Sequence, residues 1–146
     1  MRAAPIGIYH TPEKVIEAAT IQAAITHNTP DGINAAVAAA LMSHYFIYRL
    51  GPKRKLGKFL EAYVSGQWSK AWQGEVKSKG WMSVRAAITA VMRNDSMSQL
   101  LQHCIAFSGD VDTVAAMSTT GYAYTLAAGS CSEEITKTSP TISSQV

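Results

Sequence analysis

Two carboxylates separated by one residue, followed at once by a hydroxyl, form the most chemically loaded stretch of this chain: Phe107-Ser108-Gly109-Asp110-Val111-Asp112-Thr113. Asp110, Asp112 and Thr113 offer hard oxygen donors of the kind that magnesium and manganese accept. The stretch falls between two expected helices. At a helix start, the dipole and the free N–H groups support ionised side chains without a counter-cation. Gly109 lets the turn bring its backbone close to a neighbour. Taken without context, Asp and Thr at such a place are also ordinary helix caps. Other chemistry-bearing residues are scattered. His27 stands at an expected helix end, where a backbone carbonyl can take its proton or the dipole can favour its cation. His10, His44 and His103 read as surface or satisfied core histidines. Cys104 lies beside Leu100, Leu101 and Ile105 on an apolar face and reads as inert. Trp68, Trp72 and Trp81 could stack a base, although packing is the commoner use of tryptophan, and Met82, Met92 and Met97 read as core fillers.

The elements that must position these residues read as helices throughout. Thr11-Pro12-Glu13 is a capped start, with proline suited to the first turn and glutamate to the positive dipole end. An apolar stripe through Val15, Ile16, Ala19, Ala23 and Ala24 carries that helix to about Thr26. Asn28-Thr29-Pro30-Asp31 is a second start, and the helix behind it runs from Ala35 to Leu50, small on all sides and so buried among neighbours. Gly51-Pro52 should end it. A third helix is expected over Leu56 to Val64. Ser65 to Gly80 reads as loop with a helical turn. Ser83 and Ser96 are the expected caps of helices reaching Arg93 and Ala106, and a last helix should run from Val114 to about Ala127. No convincing strand appears, so the fold class is all-α. Residues 1–128 are expected as the helical domain and 129–146 as a polar, flexible tail.

Composition narrows the function classes. The 146 residues are 47% hydrophobic and only 16% charged, against about 25% charged in average proteins, which excludes a disordered tail or a solvated coiled coil. The net charge of +3 is too mild to argue for nucleic acid, and no nucleic acid is expected as a partner. The charge is uneven, with basic residues gathered between Arg49 and Lys79, most aromatics between Tyr45 and Trp81, and an acidic stretch between Asn94 and Glu134. Cys104 and Cys131 show no zinc or redox spacing. No segment is long and apolar enough to span a membrane, so a cytoplasmic protein is expected.

Four stretches together resemble the ADP-ribosylglycohydrolase family, all-α hydrolases that use a binuclear magnesium or manganese centre to remove ADP-ribose from proteins. Met1-Arg2-Ala3-Ala4-Pro5-Ile6-Gly7 resembles that family's Met-Arg-x-Ala-Pro turn. Thr26-His27-Asn28-Thr29-Pro30 and the alanine-rich helix after it resemble its Thr-His motif. Ser108 to Thr113 resembles its Gly-Gly-Asp-Thr-Asp-Thr metal motif, and Ala127 to Glu134 resembles the stretch that follows. The resemblance implies a multi-helix orthogonal array, with Asp110, Asp112 and Thr113 as ligands to magnesium or manganese. His27, Gly109 and Ser108 are the implied substrate contacts, and an ADP-ribosylated protein or other ADP-ribose adduct is the implied partner. Ser108 stands where the family has its first glycine and Val111 where it has a threonine; neither change removes a ligand. No Thr-Asp-Asp trio occurs, and no acidic residue precedes Glu13. The resemblance therefore implies that the chain starts inside the family's sequence, supplies half of a metal site, and has the family's N-terminal half as a further expected partner. The same residues also fit a non-catalytic helical module, or an inactive fragment, that binds ADP-ribose or a protein.

Overall fold

The structure, a computed structural model, describes residues 2–123. The expected tail 129–146, the Ala127 to Glu134 stretch and Cys131 lie outside the described residues. Among those residues the fold is all-helical, with no strand, as the sequence predicts.

Local capping explains where several helices begin. α1 (Pro12–Ala24) starts behind Thr11, whose hydroxyl accepts the Lys14 N–H at 3.4 Å. α2 (Pro30–Ile47) starts behind Thr29, which accepts the Gly32 N–H at 3.1 Å. Proline follows each cap, where a missing N–H costs nothing. α3 (Leu56–Tyr63) ends one residue short of its expected limit. α5 (Met97–Ala106) begins at the Ser96 hydroxyl, which accepts from Gln99 N–H at 3.3 Å. α6 covers 111–123, so it begins three residues before the expected Val114 and continues to the last described residue.

Two expected boundaries are corrected. α4 is Gly80–Arg93, and its cap is Lys79 with no side-chain hydrogen bond; Ser83 is buried inside the helix and does not cap it. α2 stops at Ile47, short of Leu50, and Gly51 is not the residue that turns the chain. Arg49 takes the left-handed conformation, with φ 51°. Its N–H donates to Phe46 O at 3.3 Å and the Leu50 N–H donates to Tyr45 O at 3.0 Å. These two bonds satisfy carbonyls that the helix end leaves open.

α2 is the centre of the fold and packs against α1, α3, α4 and a short 3₁₀ turn at Ala4–Ile8. Its alanines are the reason so many neighbours can approach: Ala35, Ala38, Ala39 and Ala40 are all buried, with Leu41, Met42, Tyr45 and Phe46 filling the wider gaps. The 3₁₀ turn is tied down by polar bonds as well. Buried His44 contacts Gly7 O through Nδ1 at 3.1 Å, and since a carbonyl only accepts, Nδ1 carries the proton. The Tyr48 hydroxyl donates to Ile8 O at 2.6 Å and contacts His10 Nδ1 at 3.1 Å. Both histidines are thus structural, as expected. Met82, Met92 and Met97 pack partly buried against the core. No described helix is long and apolar enough to cross a membrane.

Residues 64–79, between α3 and α4, form a loop without a helix, and it holds one hydrogen-bonded turn, closed by the Lys70 N–H on Gln67 O at 3.3 Å. Trp68 is buried with its indole N–H on Val64 O at 3.2 Å, which anchors the start of this loop. Trp72 and Trp81 meet edge to face at 5.7 Å.

Candidate functional site

The acidic motif sits where α5 turns into α6. α5 is followed by Phe107, which is buried and stacked on the His103 ring at 4.8 Å. Ser108 then adopts φ 56° and Gly109 φ 77°, two successive left-handed residues that reverse the chain. The reversed turn is clamped from outside. Val76 donates its N–H to Ser108 O at 3.3 Å, and its carbonyl accepts the Asp110 N–H at 2.9 Å. This parallel bridge between Val76 and Gly109 ties the long loop to the start of α6. A Cβ on Gly109 would stand 2.0 Å from Val76 O, so only glycine fits.

Asp110 stands immediately before α6, and its carbonyl accepts the first helical bond, from Val114 N–H at 3.3 Å. Its carboxylate accepts the Ser83 hydroxyl of α4 at 3.1 Å. Burial pushes its pKa up, but hydrogen bonds from Thr113 and Ser83 outweigh burial and hold the carboxyl below its ordinary value. Asp112, in the first turn of α6, is exposed, and its Oδ1 accepts the Thr113 N–H at 2.9 Å. The two carboxylates therefore lie together at a positive helix end. Ser83 is the partner that sequence reasoning misses, because nothing local to α4 connects it with Asp110.

Thr113 also faces the cleft that gathers the other motifs. That cleft, about 220 Å³, is lined by Arg2, Thr26, His27, Gly32, Ser78 and Thr113, with Ala35, Ala36 and Ala39 of α2 among its apolar lining. Three stretches far apart in sequence thus meet at one place. The N-terminal turn contributes Arg2, the end of α1 contributes Thr26 and His27, and the acidic motif contributes Thr113. His27 is held by backbone bonds on both sides, from its N–H to Ala23 O at 2.8 Å and from Thr29 N–H to its carbonyl at 2.7 Å. Gly32 presses against it so closely that a Cβ there would meet His27 O at 2.7 Å. Arg2 donates to Thr26 Oγ1 at 3.2 Å, and His27 Nδ1 contacts the same oxygen at 2.9 Å. Gly32 and Ser78 carry no signal in the sequence and Arg2 stands there only as part of the N-terminal turn; their convergence from separate segments reveals them as cleft residues. Of the acidic motif only Thr113 lines the cleft; Asp110, Asp112, Ser108 and Gly109 do not, and the Ser108 carbonyl and Asp110 N–H are engaged with Val76.

The remaining candidates fall elsewhere. Trp68 and Trp81 line a second cleft of about 230 Å³ with Asp31, Asn34 and Arg85. Cys104 is buried; burial pushes its thiol pKa up, which suits an inert side chain. Among the described residues no group of three or more His, Cys, Asp or Glu side chains is arranged to hold a metal ion. Asp110, Asp112 and Thr113 match a divalent cation in donor type, but two carboxylates and a hydroxyl are fewer than the six or so oxygens it takes.

The matching of motifs extends along the chain. A family model described as ADP-ribosylglycohydrolase matches residues 1–120, which include the N-terminal turn, the Thr-His stretch and the acidic motif. No curated protein and no solved structure matches. With the helical fold, the cleft and a match over most of its length, the chain belongs to the ADP-ribosylglycohydrolase family.

Proposed function

We propose that this chain carries one wall of a metal-dependent ADP-ribosyl-hydrolysing site, which removes ADP-ribose from a modified side chain. The observation that supports this most is the cleft itself, where Arg2, Thr26, His27 and Thr113 come together from three separate segments. Asp110, Asp112 and Thr113 would hold magnesium or manganese; water, substrate hydroxyls or further side chains would complete the shell. When bound, such an ion supplies positive charge that orients ribose hydroxyls and lowers the pKa of an attacking water.

The chain's own residues prepare that arrangement. The Ser83 hydroxyl and the start of α6 keep Asp110 ionised and fixed in direction. The Val76 bridge holds the turn so that Asp110 and Asp112 stay at the same helix end. His27 and Arg2 bring polar N–H groups to a cleft whose alanine floor leaves room for a ligand. The modified substrate would be an ADP-ribosylated protein or another ADP-ribose adduct. A free, buried Cys104 fits a reducing, cytoplasmic setting.

Calorimetric titration of manganese into the 146-residue chain tests the metal assignment. Asp110→Ala and Asp112→Ala should each weaken binding by about tenfold or more. A parent that binds no ion, or variants that bind as well as the parent, overturns the assignment. Turnover of an ADP-ribosylated peptide, followed in parallel, tests the hydrolase reading; ADP-ribose binding without release of the peptide's modification would mark a non-catalytic module instead.

A further inference from the structure

Arg2, Thr26 and His27 form a chain of hydrogen bonds in the cleft wall, and chemistry fixes the direction of its first link. A guanidinium has N–H donors and no acceptor. In the 3.2 Å contact between Arg2 Nη2 and Thr26 Oγ1, therefore, arginine donates and the hydroxyl oxygen accepts. The hydroxyl still has one proton to give. Threonines within the helices return that proton to a carbonyl one turn back, as Thr89 does to Arg85 O at 2.9 Å and Thr120 to Ala116 O at 2.8 Å. Thr26 lies past the end of α1, and its hydroxyl makes no such bond among the described residues. The acceptor beside it is His27 Nδ1, at 2.9 Å.

From this geometry we infer that Arg2, acting through Thr26, sets the tautomer of His27. The Thr26 hydroxyl donates to Nδ1, so the neutral ring carries its own proton on Nε2. The cleft then meets an imidazole that donates, suited to an oxygen acceptor on a ligand, and not one that offers a bare lone pair. Arg2 and Thr26 line the same cleft, and in this scheme they act on the His27 ring as positioning residues. Backbone bonds on both sides and the close approach of Gly32 to its carbonyl hold the His27 backbone beside Thr26. The inference deepens the reading of this cleft as the ligand site and rests on it for its significance, although the tautomer itself is a property of the free protein.

Two-bond proton–nitrogen correlation spectra of the 146-residue chain, labelled with ¹⁵N-histidine, test it directly. The spectra are recorded at a pH above which the histidine nitrogen shifts no longer change, and His27→Gln assigns the resonance. The parent should show His27 almost wholly in the Nε2–H form. Thr26→Val, which keeps the shape and removes the hydroxyl, should move the ring towards the mixture of an unbiased imidazole, and Arg2→Leu should do the same. Thr26→Ser and Arg2→Lys should restore the parent signature. An Nδ1–H ring in the parent, or a tautomer ratio unchanged in Thr26→Val, overturns the inference. Because no ligand is present, failure of ADP-ribose to bind would count against the cleft reading alone.

Discussion

Asp110 remains ionised against its own burial because donors from Thr113 and Ser83 act on one carboxylate, and only Ser83 comes from a distant helix. The backbone of the same turn is as constrained as its side chains. Gly109 combines a left-handed φ of 77° with a carbonyl where a Cβ would have to go. Gly109→Ala should cost about 3 kcal/mol, since strain at positive φ adds to a backbone clash that breaks the Val76 bridge. A shift of the urea midpoint measures this, and a loss below about 1 kcal/mol would mean that the turn relaxes freely. The acids and Thr113 were legible in the sequence because their spacing lies within one turn. Ser83 was not, because its hydroxyl looked like a helix cap and in fact serves a carboxylate brought to it by the fold.

At the scale of elements, α2 and α5 share an economy in how they stop. Each ends on a left-handed residue that is not glycine: Arg49 after α2 and Ser108 after α5. Left-handed backbone costs a residue with a Cβ about 1–2 kcal/mol, while glycine loses about 0.4–1 kcal/mol through the freedom it adds to the unfolded chain. Arg49→Gly and Ser108→Gly should therefore each stabilise by about 0.5 kcal/mol, seen as a rise in denaturation midpoint with unchanged slope. A fall in midpoint would show that the side chains contribute more than the strain removes. These ends also explain which boundaries the sequence revealed. Thr11, Thr29 and Ser96 announce their helices because capping is local. α4 starts at Gly80 behind an uncapped Lys79, and α2 stops at Ile47 and turns at Arg49, with Gly51 standing two residues further on as a decoy. Neither position carries a sequence signal of the usual kind.

For the whole molecule, acid is a specific threat through His103. Its Nδ1 contacts the Asn94 amide nitrogen at 2.8 Å, and an amide nitrogen can only donate, so the ring is held as an acceptor. Burial, followed by the charge of Arg93, lowers its pKa below 6.5. Below that value the unfolded chain binds a proton that the folded chain resists. The stabilisation is therefore present above about pH 6.5 and is lost as pH falls through the interval below it. Urea midpoints of the parent and His103→Gln between about pH 8 and 5 should diverge in slope, with the parent the more pH-dependent. Parallel profiles would assign the acid sensitivity to another group. The all-helical class and the alanine-rich centre were legible from composition and periodicity. The cleft was not, since it exists only where the N-terminal turn, the end of α1 and the start of α6 meet.

The bridge between Val76 and the Gly109 turn also has a kinetic consequence. The Val76 and Asp110 amides donate across the same pair of segments, so neither can be released to solvent without disturbing the other. In hydrogen exchange the two amides should open together, with similar protection, although long stretches of chain separate them. A cation or ligand that steadies the first turn of α6 should then slow exchange at Val76 as well, with no contact there. Val76 would report occupancy of a cleft that it does not itself line.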